Sequence, residues 1–182
     1  VSADIDHDGD LDLLLMGPSK THLFVNDGSG DLSDITEKAG IPPDLIFHQV
    51  VFSDFDNDRD IDFFALAHGS VKLYTNNRDG TFTNIAEELD LPVAGIDYLL
   101  VEDPNQDGFM DCIMLNDKNE LIYLENENGF VFTEIQRLKD IQAHSIASSD
   151  IDSDGDLDLW CLEDFEVKTI AWHRGAWEST EA

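Results

Sequence analysis

Basic residues are scarce in this chain. Ten lysines and arginines stand against 40 aspartates and glutamates, giving a formal net charge of −30 over 182 residues. Such a surface repels nucleic-acid phosphates and anionic lipid head groups, and no basic patch offsets it, so nucleic-acid binding is excluded. No run of 18 apolar residues occurs, so no membrane-spanning helix and no membrane insertion are expected. There are only two cysteines, Cys112 and Cys161, too few for a disulfide framework; both sit in short apolar runs and read as buried thiols. No signal peptide is visible, and the chain opens on Val1 rather than Met, as a processed product or a fragment would. The sequence also lacks G-x-S-x-G, H-E-x-x-H, a P-loop and a dinucleotide fingerprint, which leans the expectation away from catalysis.

What is present is one acidic nonapeptide written four times, D-x-[DN]-x-D-[GR]-x-x-D. The copies span 4–12, 54–62, 103–111 and 150–158 and hold 18 of the 40 acidic residues. Carboxylates packed this densely repel one another unless a hard cation gathers them. Calcium suits them because it accepts six to eight oxygen ligands in a flexible shell. An EF-hand would need a bidentate Glu at position 12 of the loop, where this chain has Leu15, Ala65, Met114 and Cys161. The dockerin pattern fails on the same position.

The loops begin at residues 4, 54, 103 and 150, a period near 50 that signals a repeat architecture. Each is followed by four apolar residues, at 13–16, 63–66, 112–115 and 159–162, which read as strands buried on both faces. A second strand follows at 23–25, 73–75, 122–124 and 170–172. Turns at 26–30, 76–80, 125–129 and 173–175 come next; all contain Gly, and most are rich in Asn, residues that tolerate the positive φ of a tight hairpin. A third strand follows the turn, as at 81–85, and a fourth precedes the next acidic loop, as at 49–52 and 98–101. The apolar content of 42% supplies a core. Four short antiparallel strands per repeat, stacked radially, predict an all-β protein: a β-propeller with about four blades present. The repeats run over 1–46, 47–95, 96–142 and 143–182, within a single propeller segment over 1–182.

The D-x-D-x-D-G-x-x-D loop inside a ~50-residue four-strand repeat resembles the FG-GAP/VCBS repeats of integrin α subunits and many bacterial secreted proteins. The stretches Leu23-Phe-Val-Asn26 and Ile35-Thr-Glu-Lys-Ala-Gly40 are similar to the bacterial and cartilage-acidic-protein branch of that group. The resemblance covers essentially the whole chain. It implies a seven-bladed ring, up to four Ca²⁺ in the loops joining the first and second strands of each blade, and a secreted, cell-surface or periplasmic location. It implies no single activity, since such scaffolds serve many.

By the pattern of that family, side chains at loop positions 1, 3, 5 and 9 and the carbonyl of position 7 reach the ion. Loop one then offers Asp4, Asp6, Asp8, the Asp10 carbonyl and Asp12, and loop two offers Asp54, Asp56, Asp58, the Asp60 carbonyl and Asp62. Loop three offers Asp103, Asn105, Asp107, the Phe109 carbonyl and Asp111; loop four offers Asp150, Asp152, Asp154, the Asp156 carbonyl and Asp158. Position 6 is Gly in three loops and Arg59 in the second, where a positive φ would cost about 1–2 kcal/mol.

His48, Asp97 and His144 share one repeat position, six residues before a loop and at the opposite end of the blade, and His68 lies in a nearby turn. A polar ring there would suit a ligand, although edge or capping roles are the plainer expectation. Trp160, Trp172 and Trp177 are candidates to stack on sugar rings, but Trp160 lies in an apolar run where core packing is expected. The connecting loops away from the acidic tips (16–21, 67–70, 116–119 and 164–166, with 42–47 and 91–95 between repeats) vary in composition and are where a partner would dock. These features point to a calcium-rigidified extracellular binding or adhesion module for a protein or carbohydrate. The alternatives are the platform of a secreted carbohydrate-active enzyme such as a polysaccharide lyase, or a structural spacer in a larger secreted protein.

Overall fold

The computed structural model describes residues 1–89, 91, 94–163, 166–173 and 175–179. The described residues form strands and turns and no helix. Four separate four-stranded antiparallel sheets follow one another along the chain, each with its strands in sequence order. The first blade contains β1 (Ser2–Ala3), β2 (Asp12–Met16), β3 (Thr21–Asn26) and β4 (Leu32–Asp34). The second contains β5 (Gln49–Ser53), β6 (Asp62–Ala67), β7 (Ser70–Asn76) and β8 (Phe82–Asn84). The third contains β9 (Ile96–Glu102), β10 (Asp111–Asn116), β11 (Leu121–Asn126) and β12 (Phe132–Leu138). The fourth contains β13 (Ser145–Ser149), β14 (Asp158–Glu163), β15 (Glu166–His173) and β16 (Ala176–Ser179). This is the blade architecture of a β-propeller, and each acidic loop joins the first strand of its blade to the second.

The blades group into two compact units, Val1–Ala94 and Gly95–Ala182, with two blades in each. In the first unit a seam forms between blades one and two from Leu14, Leu23, Phe47, Val50, Phe63, Ala65, Tyr74 and Phe82. Phe63 is its centre: it stacks on Tyr74 at 4.7 Å and meets Phe82 at 5.1 Å, Phe52 at 5.5 Å and Phe47 at 6.2 Å edge-on. In the second unit the seam between blades three and four is built from Ile113, Leu115, Tyr123, Ile146, Leu159, Cys161, Ile170, Trp172 and Trp177. Cys112 and Cys161 are free, buried thiols.

The apolar runs after the loops are not all buried on both faces. β6 and β10 are buried at every residue, as expected of central strands. In β2 and β14 the two-residue period of a strand separates a covered face from an open one. Leu14 and Leu159 face the seams, whereas Leu15 and Leu162 are on the open face; Met16, on the face of Leu14, is exposed at the end of its strand. Trp160 corrects the expectation of core packing in the same way: it is 38% exposed, and its indole Nε1 donates to Ser149 Oγ at 2.7 Å. Trp172 and Trp177 are the core tryptophans, packed edge-on at 4.7 Å with Tyr123 against Trp172 at 5.3 Å. The connecting loop 164–166 includes residues outside those described, as does 91–95.

Truncating the aromatic centre of the first seam opens a cavity in a region that cannot collapse around it. Phe63→Ala is expected to destabilise the protein by about 3–5 kcal/mol in denaturant unfolding. An unchanged midpoint would show that the seam does not hold the two blades.

Candidate functional site

The four acidic loops share one construction, and the ninth residue is its keystone. Asp12, Asp62, Asp111 and Asp158 open the second strand of each blade, paired with Ala3, Ser53, Glu102 and Ser149 at the end of the first. All four are at most 4% exposed. One carboxylate oxygen of each accepts a backbone N–H from the third strand, from Asn26 at 2.9 Å, Asn76 at 2.9 Å, Asn126 at 2.8 Å and Trp172 at 3.1 Å. The other oxygen accepts the N–H of the loop's second residue, from Ile5, Phe55 and Ile151 at 2.9, 3.3 and 3.1 Å. In loop three that residue is Pro104, which has no N–H to give. The phenol of Tyr123 takes its place, donating to Asp111 Oδ2 at 2.7 Å.

The remaining acidic side chains fold inward over the loop's own amides. Asp4 Oδ2 accepts from Gly9 N, and Asp54, Asp103 and Asp150 accept from Arg59, Gly108 and Gly155 in the same way, at 2.9–3.2 Å. Positions 3 and 5 accept from amides two residues ahead: Asp6 from Asp8, Asp8 from Asp10, Asp152 from Asp154 and Asp154 from Asp156. Equivalent bonds hold Asp56 and Asp58 in loop two and Asn105 and Asp107 in loop three. Two positions per loop adopt positive φ. One is the sixth, with Gly9, Gly108 and Gly155 at 90–97° and Arg59 at 78°. The other is the fourth, occupied by His7, Asn57, Gln106 and Ser153 at 56–64°. The fourth position was not legible as left-handed, because Asn57 and His7 favour such a conformation but Gln106 and Ser153 do not.

The side chain at position four also reaches the next loop within each unit. His7 Nε2 lies 2.8 Å from Asp60 Oδ1 in loop two, and Gln106 Nε2 donates to the Gly155 carbonyl of loop four at 3.0 Å. Asp60, named in the sequence for its carbonyl, is itself 6% exposed and also binds the Arg78 guanidinium through Oδ2. Asn26, Asn76 and Asn126 close the arrangement from the third strand, each donating Nδ2 to the carbonyl of loop position eight, on Leu11, Ile61 and Met110. Their recurrence 14 or 15 residues after the ninth position of the first three loops was a readable signal, and Trp172 stands at that place in the fourth repeat.

Carboxylates of the first three loops are strained electrostatically. Burial pushes the Asp62 carboxyl up to about 7 and the Asp111 carboxyl up to about 6, against the amide hydrogen bonds that pull both down. Asp6 and Asp56 are raised too, first by burial and then by neighbouring carboxylates. Carboxylate oxygens of Asp4, Asp6 and Asp8 lie within 4.8 Å of one another, as do those of Asp54, Asp56 and Asp58 and of Asp150, Asp152 and Asp158. Asp4 Oδ1 is buried with no hydrogen-bond partner. An orphaned buried oxygen inside an all-oxygen cluster fits a hard divalent cation. In loop three Asn105 turns its Nδ2 toward Asp107 Oδ2 at 3.2 Å, so its amide donates where the other loops hold a carboxylate.

The candidate ligand-face residues His48, His68, Asp97 and His144 are all exposed. His48 and His68 meet edge-on at 5.6 Å in the first unit. His48 and His144 occupy equivalent places, their amides donating to Leu66 and Leu162 carbonyls at 2.8 Å just ahead of β5 and β13.

Blades of this construction, each carrying an acidic loop between its first two strands, define a repeat-built β-propeller module. The chain belongs to the family of FG-GAP-like repeats, whose model matches residues 4–65, 54–98 and 103–161. No curated protein matches it. Among solved structures, an Agrocybe aegerita lectin that recognises non-reducing terminal N-acetylglucosamine is 19% identical with a TM-score of 0.57. That match covers 98% of this chain and 50% of the lectin, so the chain spans half of the lectin's length. A Photorhabdus luminescens Tc holotoxin pore structure is also 19% identical, with a TM-score of 0.52 over 92% of this chain and 8% of that one. At this identity both establish a shared fold.

The Tyr123 hydroxyl substitutes for a missing backbone donor, so removing it leaves a buried carboxylate oxygen short of a partner. Tyr123→Phe is expected to cost about 1–3 kcal/mol in chemical denaturation. Adding Pro104→Ala, which restores an N–H at the second loop position, should recover part of that loss. Additive or neutral behaviour of the pair would disprove the substitution.

Proposed function

We propose that the chain is a calcium-stiffened propeller segment that works outside the cytoplasm as a binding module, with a carbohydrate as its ligand class. The single observation that carries the calcium reading is Asp4 Oδ1, buried without a partner among converging carboxylates. Asp4, Asp6, Asp8 and Asp12 would hold the ion in loop one, and Asp150, Asp152, Asp154 and Asp158 in loop four, with Asp54, Asp56, Asp58 and Asp62 or Asp103, Asn105, Asp107 and Asp111 in the others. The carbonyls of Asp10, Asp60, Phe109 and Asp156 complete the four sets. Bound calcium would supply the positive charge that lets these carboxylates ionise together. The residues themselves do the rest: their amide hydrogen bonds fix each turn, and the ninth aspartate transmits that order to the sheet.

A carbohydrate is supported by the lectin's likeness to this fold and by the exposed Trp160, whose ring is held by Ser149 and offers an apolar face of the kind sugars stack on. A protein partner remains the second class. The likeness to a short stretch of a large toxin pore favours one further reading, a structural blade set within a longer chain.

Each occupied site adds about 2.7 kcal/mol when calcium stands a hundredfold above its dissociation constant. Thermal unfolding should therefore shift strongly upward with calcium and back with a chelator, and coincident curves would end the metal assignment. Asp154→Ala should remove more of that calcium-linked shift than Asp107→Ala, since loop three already lacks one carboxylate.

Glycan-array binding in the presence of calcium tests the ligand class. Alanine at His48, His68, Asp97 and His144 should weaken capture without lowering the calcium-saturated melting temperature, whereas unfolding with capture intact would make these four structural. Trp160→Ala in the same assay separates the exposed indole from that group.

A further inference from the structure

The second loop differs from its three counterparts in more than Arg59. Arg78, in the turn between β7 and β8, lays its guanidinium against that loop. Its Nη2 sits 3.0 Å from Asp58 Oδ2 and donates to the Asp58 carbonyl at 2.7 Å, while Nε binds Asp60 Oδ2. Asp60 is fixed from the other side by His7. Asp58 Oδ1 is already taken by the Asp60 amide at 2.9 Å, so the Arg78 contact engages the other oxygen of this position-five carboxylate. Among the described residues, no lysine or arginine pairs with a carboxylate of the other three loops.

The first blade shows why it has no such cation. The residue aligned with Arg78 is Gly28, at φ 74° against 62° for Arg78. The Asp10 carboxylate occupies the space above it, and a Cβ there would fall 2.2 Å from Asp10 Oδ2. In blade two the aspartate at the same loop position, Asp60, is drawn aside between His7 and Arg78, and the arginine fills the gap beside a cavity of about 130 Å³ lined also by Ile5, Asp6 and Asn76.

We infer that Arg78 is a tethered cation of the second loop, competing with calcium for Asp58 and making this loop the weakest of the four. The inference rests on the calcium reading of the loops. A guanidinium and a divalent ion cannot both draw full charge from one carboxylate whose other oxygen is committed to an amide. The arginine also gives the second turn a counter-charge that does not leave when calcium does. Blade two thus keeps its loop in place in calcium-poor medium, while loops one and four depend on the ion.

The test follows the amide resonances of the sixth loop residues, Gly9, Arg59, Gly108 and Gly155, through a calcium titration of the whole chain by NMR. In the wild type the Arg59 amide should respond last. Arg78→Gln, which keeps length and polarity but removes the charge, should lower the second loop's dissociation constant about tenfold, the scale expected of one charge at contact distance in a partly exposed site. Gly108 and Gly155 should keep their midpoints, and Arg78→Lys should stay near the wild type. An Arg59 midpoint unmoved or weakened by Arg78→Gln overturns the inference, because the arginine would then be neutral or supporting. If no amide moves with calcium in the wild type, the calcium reading itself falls and the inference with it. The Gly9 resonance reports that the first unit remains folded in each variant.

Discussion

Everything in each blade depends on one buried carboxylate whose two oxygens are both held by hydrogen bonds, in three of the four blades from two separated stretches of backbone. Asp12, Asp62 and Asp158 sit where the loop rejoins the sheet and bind the third strand with one oxygen and the loop with the other, while Asp111 binds the third strand with both, through the Asn126 amide and the Tyr123 phenol. A charge so deeply placed is costly unless it is fully satisfied, and hydrogen bonds to an ionised acceptor are among the stronger ones. The geometry therefore admits one register between the first two strands, and the aromatic seams are assembled on strands whose faces that register has fixed. The sheet and the acidic tip are one cooperative unit.

Much of this was legible. The 50-residue period, the order of strands and the position of the loops follow from the recurrence of the nonapeptide and the apolar runs behind it. The burial of Cys112 and Cys161 followed from the same runs. What the runs concealed was the two-sidedness of a strand. Leu159-Trp-Cys-Leu162 reads as uniformly apolar, yet only Leu159 and Cys161 face the seam, and Trp160 and Leu162 lie outside. Sequence patterning distinguishes faces by polarity, and an exposed face that is itself apolar carries no such mark. Arg78 was invisible for a different reason: its partners Asp58 and Asp60 lie across a hairpin, and nothing in a turn of Asn, Arg, Asp and Gly announces that a side chain folds back on the preceding loop.

The repeats are alike in their backbones and individual in their side-chain contacts. Position four adopts the same left-handed conformation in every loop, but it carries His, Asn, Gln or Ser. In both units its side chain reaches the following loop, by an imidazole to a carboxylate in one and by an amide to a carbonyl in the other. Within each unit the two tips are consequently in contact, and the posture of one bears on that of the other. A repeat protein acquires site-to-site differences most readily at such positions, where the backbone conformation is common and the side chain is free to vary.

The exchange of a backbone donor for a phenol in the third blade has a consequence for how such repeats can drift. A tyrosine at position 123 does no harm while an ordinary residue fills position 104, since its hydroxyl merely adds a second donor to a carboxylate with lone pairs to spare. A proline arriving first would strip a buried oxygen of its partner. The two routes therefore differ in cost: hydroxyl before ring on the way in, and ring before hydroxyl on the way out, never leave that oxygen unpaired. Pro104 and Tyr123 are thus a pair in which one residue is free to change and the other is not.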